Sequence, residues 1–141
     1  MSFGYGVGDI MVISRLAVKV HTAYKNAPDE YRNISEEVKS LEILINKAAH
    51  YFGSPTLSDS GRRDGTEVLK GCQNVLQDLD FLFEKHNASA ATNTTQVFKR
   101  VKLGTEDIVT LRIRLISNTT LLNGFIQRFL IFSQLLFSIS Y

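Results

Sequence analysis

Seven positions of the chain, Tyr31, Ile34, Val38, Leu41, Ile45, Ala48 and Phe52, recur at steps of 3, 4, 3, 4, 3 and 4. At about 3.6 residues per turn such a series falls on one helix face, and an apolar stripe of that length needs other helices to cover it. A second seam, Val68, Cys72, Val75, Leu79 and Leu82, steps by 4, 3, 4 and 3. Upstream, Ile10, Ile13, Leu16, Val20 and Tyr24, joined by Met11 and Ala17, form a broader stripe with Arg15, Lys19 and Lys25 on the other side. Downstream, Ile108, Leu111, Leu115 and Leu122 form a fourth, interrupted by Asn118. The pattern predicts an all-α, four-helix bundle-like domain, because helices this short are marginal alone and gain stability from mutual packing. Asn118 has two readings, control of helix register or a position near the end of the core.

The breaks between stripes set the expected boundaries. Gly4, Gly6 and Gly8 alternate with Phe3, Tyr5 and Val7, which predicts a flexible Gly/aromatic arm, with Asp9 capping a helix from Ile10 to Lys25. Pro28, Asp29 and Glu30 suit the start of a second helix that runs to Phe52. Residues 53–65 read as a polar loop, after which Asp64 and Glu67 resemble the capping box of a third helix. Residues 87–95 read as a second linker, and Thr105 caps a fourth helix. From Phe125 the sequence FIQRFLIFSQLLFSISY carries one charge, Arg128. That predicts an apolar C-terminal helix, shorter than the roughly 20 apolar residues of a clean bilayer span and suited to partial insertion, bundle coverage or aggregation. The expected division is a helical domain over 1–123 and an apolar segment over 124–141, whose abrupt character reads as a truncated or misspliced gene model.

Composition narrows the function classes. A chain of 141 residues with 44% hydrophobic content is one domain with a real core. Sixteen basic against fourteen acidic residues leave a formal charge of +2, too weak a bias to expect a nucleic-acid partner. Cys72 is the single cysteine and the opening MSFGYGVGDI lacks the charge and apolar run of a secretory signal, so the expected setting is cytoplasmic, with peripheral membrane contact as a candidate.

No constellation carries catalytic chemistry. The glycine-spaced arm follows no strand and precedes no GKS or GKT, so it is not read as a phosphate loop. Its side chains Phe3, Tyr5, Val7, Ile10, Met11 and Ile13 are candidates for entry into a membrane interface, where aromatic and apolar groups partition, or else fold onto the bundle. Lys99, Arg100 and Lys102 interleave with Phe98, Val101 and Leu103, which suits an anionic surface as well as a solvated face. His21, His50 and His86 lie on separate predicted helices without metal-ligand spacing, so no metal and no cofactor is expected. Cys72 reads as a buried seam residue. The seam positions Tyr31, Ile34, Val38, Leu41, Ile45, Phe52, Cys72, Val75, Leu79 and Leu82 are the candidate packing interface, inside the chain or with a partner. Neither enzymatic turnover nor a small-molecule substrate is expected.

The blocks MSFGYGVGDI, APDEYRNISEEVKSLEILI, GCQNVLQDLD, FKRVKLGTEDIVTLRIRL and SNTTLLN, in that order over residues 1–123, resemble a fungal N-terminal domain. Such domains precede ankyrin, NACHT and other modules in fungal STAND-type signalling proteins. They are similar to the HeLo-like cell-death modules and, more distantly, to the four-helix bundle of the necroptotic mixed-lineage kinase-like pseudokinase. The resemblance implies a non-enzymatic signalling module of the cell-death or non-self-recognition type, regulated by oligomerisation. In some members an N-terminal helix enters the plasma membrane, a role that would fall here to Phe3 through Val20. The alternative is a helical adaptor that self-associates or binds a protein partner without touching lipid. Fold does not fix function, so the membrane role is an expectation by analogy.

Overall fold

The computed structural model describes residues 5–90 and 105–139. Among them are four helices and no strand: α1 (Val7–Lys25), α2 (Asp29–Phe52), α3 (Asp59–Ala90) and α4 (Thr105–Ile139). The all-α, bundle-like architecture read from the stripes is what the chain adopts.

Each helix packs against two neighbours. α1 lies between α2 and α3, and so does α4, while α1 and α4 make no contact among the described residues and α2 and α3 face each other across the diagonal. Consecutive helices run antiparallel: Ser14 of α1 meets Asn46 of α2, His21 meets Ser35, and Cys72 of α3 meets Asn118 of α4. The core is built from the predicted seams. Ile34, Val38, Leu41, Ile45 and Ala48 are fully enclosed with Ile10, Ala17, Val20, Leu69, Val75, Leu79, Leu115 and Leu122. Tyr24 closes one end of the bundle by donating its hydroxyl hydrogen to the Leu79 carbonyl at 2.8 Å.

Several boundaries move, each for a local reason. α1 starts two residues before Asp9, whose carboxylate accepts the Gly6 N–H at 2.8 Å from inside the first turn and so satisfies an amide at the helix start. α3 starts at Asp59 rather than at Asp64. The Ser58 hydroxyl accepts the Gly61 N–H at 3.0 Å and the Ser58 carbonyl accepts the Arg62 N–H at 2.9 Å, which folds most of the expected loop into helix. Two glycines there permit close packing. A Cβ on Gly65 would lie 2.7 Å from both Phe52 and Phe125, and one on Gly71 would overlap Asn118 Oδ1. Asn118 returns its amide to its own helix, Nδ2 donating to the Arg114 carbonyl at 2.8 Å.

α4 runs without interruption through Asn123 and Gly124, and Phe125 and Ile126 beyond them belong to the core. The helix is tied to both neighbours by charge, with Arg112 bidentate on Glu37 of α2 at 2.6 and 3.3 Å and Arg114 on Asp78 of α3 at 2.7 Å.

Candidate functional site

Three structural elements converge at one end of the bundle. Arg62, near the start of α3, donates to the Phe52 carbonyl at 2.9 Å and the Tyr5 carbonyl at 3.3 Å, and its guanidinium lies 5.3 Å from the centre of the Phe52 ring. One cation thus holds the last carbonyl of α2, where the helix dipole favours positive charge, together with the segment entering α1. Tyr5 is fixed further by its N–H on Thr66 Oγ1 at 3.0 Å and its hydroxyl on Gln73 Oε1 at 2.8 Å. Burial, followed by the nearby Asp9 and Glu67 carboxylates, pushes the Tyr5 phenol up and keeps it a donor.

α4 passes this end between the terminus of α2 and the start of α3. Tyr51 stacks on Phe129 with ring centres 4.7 Å apart, and Phe52 meets Phe125 at 5.9 Å. Between α4 and residues 56–64 lies a groove of about 160 Å³, bordered by Leu57, Gly61, Asp64, Phe129 and Phe132, with Arg128 at its edge. From Ile131 the helix carries a run of exposed apolar side chains. Ile131, Phe132, Leu135, Leu136, Phe137 and Ile139 are all exposed there, Ile139 at 80%. Since successive helical residues turn by about 100°, Ile131, Phe132, Leu135, Leu136 and Ile139 share one face of α4 and Phe137 lies on the opposite side. By length and composition α4 could cross a membrane, a test that core helices of soluble proteins also pass, but only 17% of its apolar stretch is buried.

The sequence-predicted residues separate into groups. Ile10 and Ile13 of the membrane-arm set are core residues, buried between α2 and α3 because they sit on the inner stripe of α1. Tyr5 is half-buried and bound, and Val7 and Met11 are exposed on the outer side of α1, so the arm expected ahead of Ile10 is docked at Tyr5 and helical from Val7. The seam residues Tyr31, Ile34, Val38, Leu41, Ile45, Phe52, Cys72, Val75 and Leu79 are buried inside this chain's own bundle, with Leu82 partly covered against it. They form an internal interface and offer no surface to a partner while the bundle is closed. Phe3, Lys99, Arg100 and Lys102 lie outside the described residues.

Polar groups elsewhere are occupied by structure. His21 Nδ1 lies 2.8 Å from Ser35 Oγ, whose hydrogen goes to the His21 carbonyl at 2.9 Å. With that hydroxyl hydrogen spent, Nδ1 is the donor in the pair. Burial pushes the Cys72 thiol up to about 12. Among the described residues no three or more His, Cys, Asp or Glu side chains come together as metal ligands. What sequence reasoning missed is the outer stripe of α4, Val109, Ile113 and Ile116, exposed at steps of 4 and 3. Its spacing is visible in the sequence, but a helix that is apolar on more than one face does not say which face is inside.

No family model, curated protein or solved structure matches the chain. The geometry of the bundle end therefore carries the functional reading.

Proposed function

We propose that the chain is a non-enzymatic helical interaction module, of the cell-death or non-self-recognition signalling type that its sequence blocks resemble, and that it docks on membrane surfaces. The observation supporting this is the concentration of exposed apolar side chains at one end of the bundle, on α4 past Phe129 and on the first turns of α1 at Val7 and Met11. Magnitudes favour docking with the bundle closed. Extracting α1 would expose Ile10, Ile13, Val20 and Tyr24 at about 1.5–3 kcal/mol each, a sum on the order of the entire stability of a small domain. The end of α4 is already outside and needs no unpacking.

Co-sedimentation of the full chain with phosphatidylcholine/phosphatidylserine vesicles tests the proposal. Binding is expected, weakened when Lys99, Arg100 and Lys102 are neutralised together; no binding to any vesicle would end the membrane reading. A second reading, a protein-binding adaptor, is favoured by the one-sided stripe Val109, Ile113 and Ile116, which is what a partner helix or a second copy would cover. Size-exclusion chromatography with light scattering separates the two, since a stable oligomer indifferent to lipid supports the adaptor and a lipid-free monomer counts against self-association.

A further inference from the structure

α4 stands at a corner of the bundle, packed on α2 and α3 and, among the described residues, away from α1, so its outward face is open. The exposed apolar side chains on that face form two groups, Val109, Ile113 and Ile116 toward the start and Ile131 and Leu135 toward the end. Ile113 and Ile131 are 18 residues apart, five turns at about 3.6 residues each, and so share one azimuth of the helix about 27 Å apart. Between Arg114 and Arg128 the helix carries no charge, and its outward residues are the small or neutral Ser117, Thr120, Gly124 and Gln127. Thr120 turns its hydroxyl back to the Ile116 carbonyl at 2.9 Å, and a Cβ at Gly124 would meet only an Arg128 nitrogen.

This order, apolar, neutral, apolar, reads alike in both directions about Leu122. Val109 and Leu135 each lie 13 residues from that point, and Ile113 and Ile131 each lie 9. An antiparallel second α4 therefore sets Ile113 on Ile131 and Val109 on Leu135, with Thr120 against Gly124 near the middle, where the missing side chain lets the helices approach. The stripe is narrow. Arg112 and Arg114 stand on either side of Ile113, held by Glu37 and Asp78, which leaves the width of one partner helix. Charge fits the same register. Arg114 and Arg128 lie on the flank toward α3, and a two-fold axis sets like flanks side by side, so Arg128 comes level with Ile116 of the second copy and beside its Asp78. That carboxylate is 54% exposed and engaged by Arg114 through Oδ2, leaving Oδ1 for a second guanidinium.

On the strength of the adaptor reading above, we infer that the occupant of this stripe is a second copy of the chain, paired antiparallel through α4 about a two-fold axis at the level of Leu122. The contact, about 40 Å long and about 10 Å wide on each copy, covers at least roughly 800 Å² in all, the scale of a reversible dimer. Pairing covers Ile131 and Leu135, which the membrane reading assigns to lipid, so the two contacts exclude each other.

Sedimentation equilibrium of the full chain without lipid, over about 1 to 200 µM, is expected to show monomer and dimer in exchange. Ile113→Asp and Ile131→Asp should each raise the dissociation constant at least roughly tenfold, because symmetry places each carboxylate in the contact twice. Arg128→Glu should raise it roughly threefold or more by facing Asp78 with a like charge. Helical content and melting temperature of the dilute variants should not change, since none of the three side chains is part of the core. Cysteine pairing reads the register. Cys72 is buried and stays out of the exchange. Ile113→Cys mixed with Ile131→Cys under oxidising conditions should yield a disulfide-linked dimer, and either variant alone should yield little.

A chain that stays monomeric over the whole range overturns the inference. If vesicle binding by that monomer is then lost in Ile113→Asp, the stripe belongs to lipid and the adaptor reading falls as well; if binding is unchanged, that reading stands with a foreign protein as partner. A dimer indifferent to both aspartates leaves self-association in place through another surface and overturns pairing on α4. Ile113→Cys linking to itself as fast as to Ile131→Cys means a parallel pair and overturns the antiparallel register.

Discussion

At Gly65 of α3 two aromatic rings, Phe52 and Phe125, converge on the backbone at 2.7 Å from a would-be Cβ. Gly65→Ala gains up to about 1 kcal/mol of helix propensity but forces two core rings apart, at about 1–3 kcal/mol, so a net loss of about 1 kcal/mol is expected in urea denaturation followed by circular dichroism. Gly61 is the informative contrast. Its Cβ would press on the far end of Leu57 and come within 3.2 Å of the Ser58 hydroxyl, side-chain atoms that can give way, so Gly61→Ala should be close to neutral. Buried acids make a second residue-level prediction. The Cys72 thiol, ordinarily near 9.0, is pushed up to about 12 by burial, and the Tyr24 phenol is raised from 10.0, chiefly by burial and then by Tyr31 and Asp80. Because the folded protein keeps both protons at pH values where the unfolded chain has released them, stability is complete below pH 9 and falls as pH climbs from there toward 12. A decline of about 3 kcal/mol between pH 8 and pH 10.5, most of it from Cys72, should appear in urea midpoints. It should be shallower in Tyr24→Phe, which also loses about 1 kcal/mol at pH 8 with the bond to the Leu79 carbonyl. Thiol reagents at pH 8 should leave Cys72 untouched until the bundle unfolds.

At the scale of a helix, α4 is the element whose behaviour departs most from local preference. Asn123 and Gly124 sit in its middle, yet Leu122, Phe125 and Ile126 on either side are buried and hold the helix through them. A Cβ at Gly124 meets nothing nearer than an Arg128 guanidinium nitrogen at 3.4 Å, so Gly124→Ala should stabilise the protein by about 0.5–1 kcal/mol, read as a raised melting temperature. The same element shows what sequence can and cannot say. The 3–4 spacing of Tyr31 to Phe52 and of Val68 to Leu82 gave the second and third helices their inner faces, because one continuous apolar stripe admits one orientation. The start of α3 was hidden because Ser58, Asp59 and Gly61 are turn formers in isolation, and the contacts that reward helix there come from afar, Arg62 on the Phe52 and Tyr5 carbonyls and Gly65 against Phe52 and Phe125. Ile10 and Ile13 follow the inner-stripe reading rather than the membrane one, and the segment ahead of them is held for a related reason. Glycines at 4, 6 and 8 signal freedom locally, while the hydrogen bonds that remove it come from Thr66, Gln73 and Arg62, some sixty residues away. The apolar run from Phe125 was legible as a run, but its split at Arg128 into a core part and an exposed part depends on where α2 stops and α3 begins.

For the molecule as a whole, that split places the functional boundary inside α4 rather than at a change of composition. Phe125 and Ile126 are 4% and 2% exposed, Phe129 covers Tyr51, and from Ile131 onward the large apolar side chains are exposed while Ser133 is half-buried. A protein ending at residue 123 therefore loses two core side chains, one of them a buried phenylalanine of the kind whose truncation costs about 3–5 kcal/mol. One ending at residue 130 loses none and sheds the exposed apolar turns. The expected result is that residues 1–130 melt within a few degrees of the full chain and stay in solution at higher concentration, whereas residues 1–123 are destabilised by more than about 3 kcal/mol or fail to fold. Vesicle binding provides the second axis of the same comparison. If the bundle is the scaffold and the end of α4 the contact, residues 1–130 keep the fold and lose most of their affinity for lipid. A 1–130 protein that binds vesicles as tightly as the full chain would relocate the membrane contact to Val7, Met11 and the first turns of α1, the other exposed apolar residues at that end. Stability and lipid affinity are thus expected to change at different cut points along one helix, because the first seven of its turns serve the interior and the remainder serves the surface.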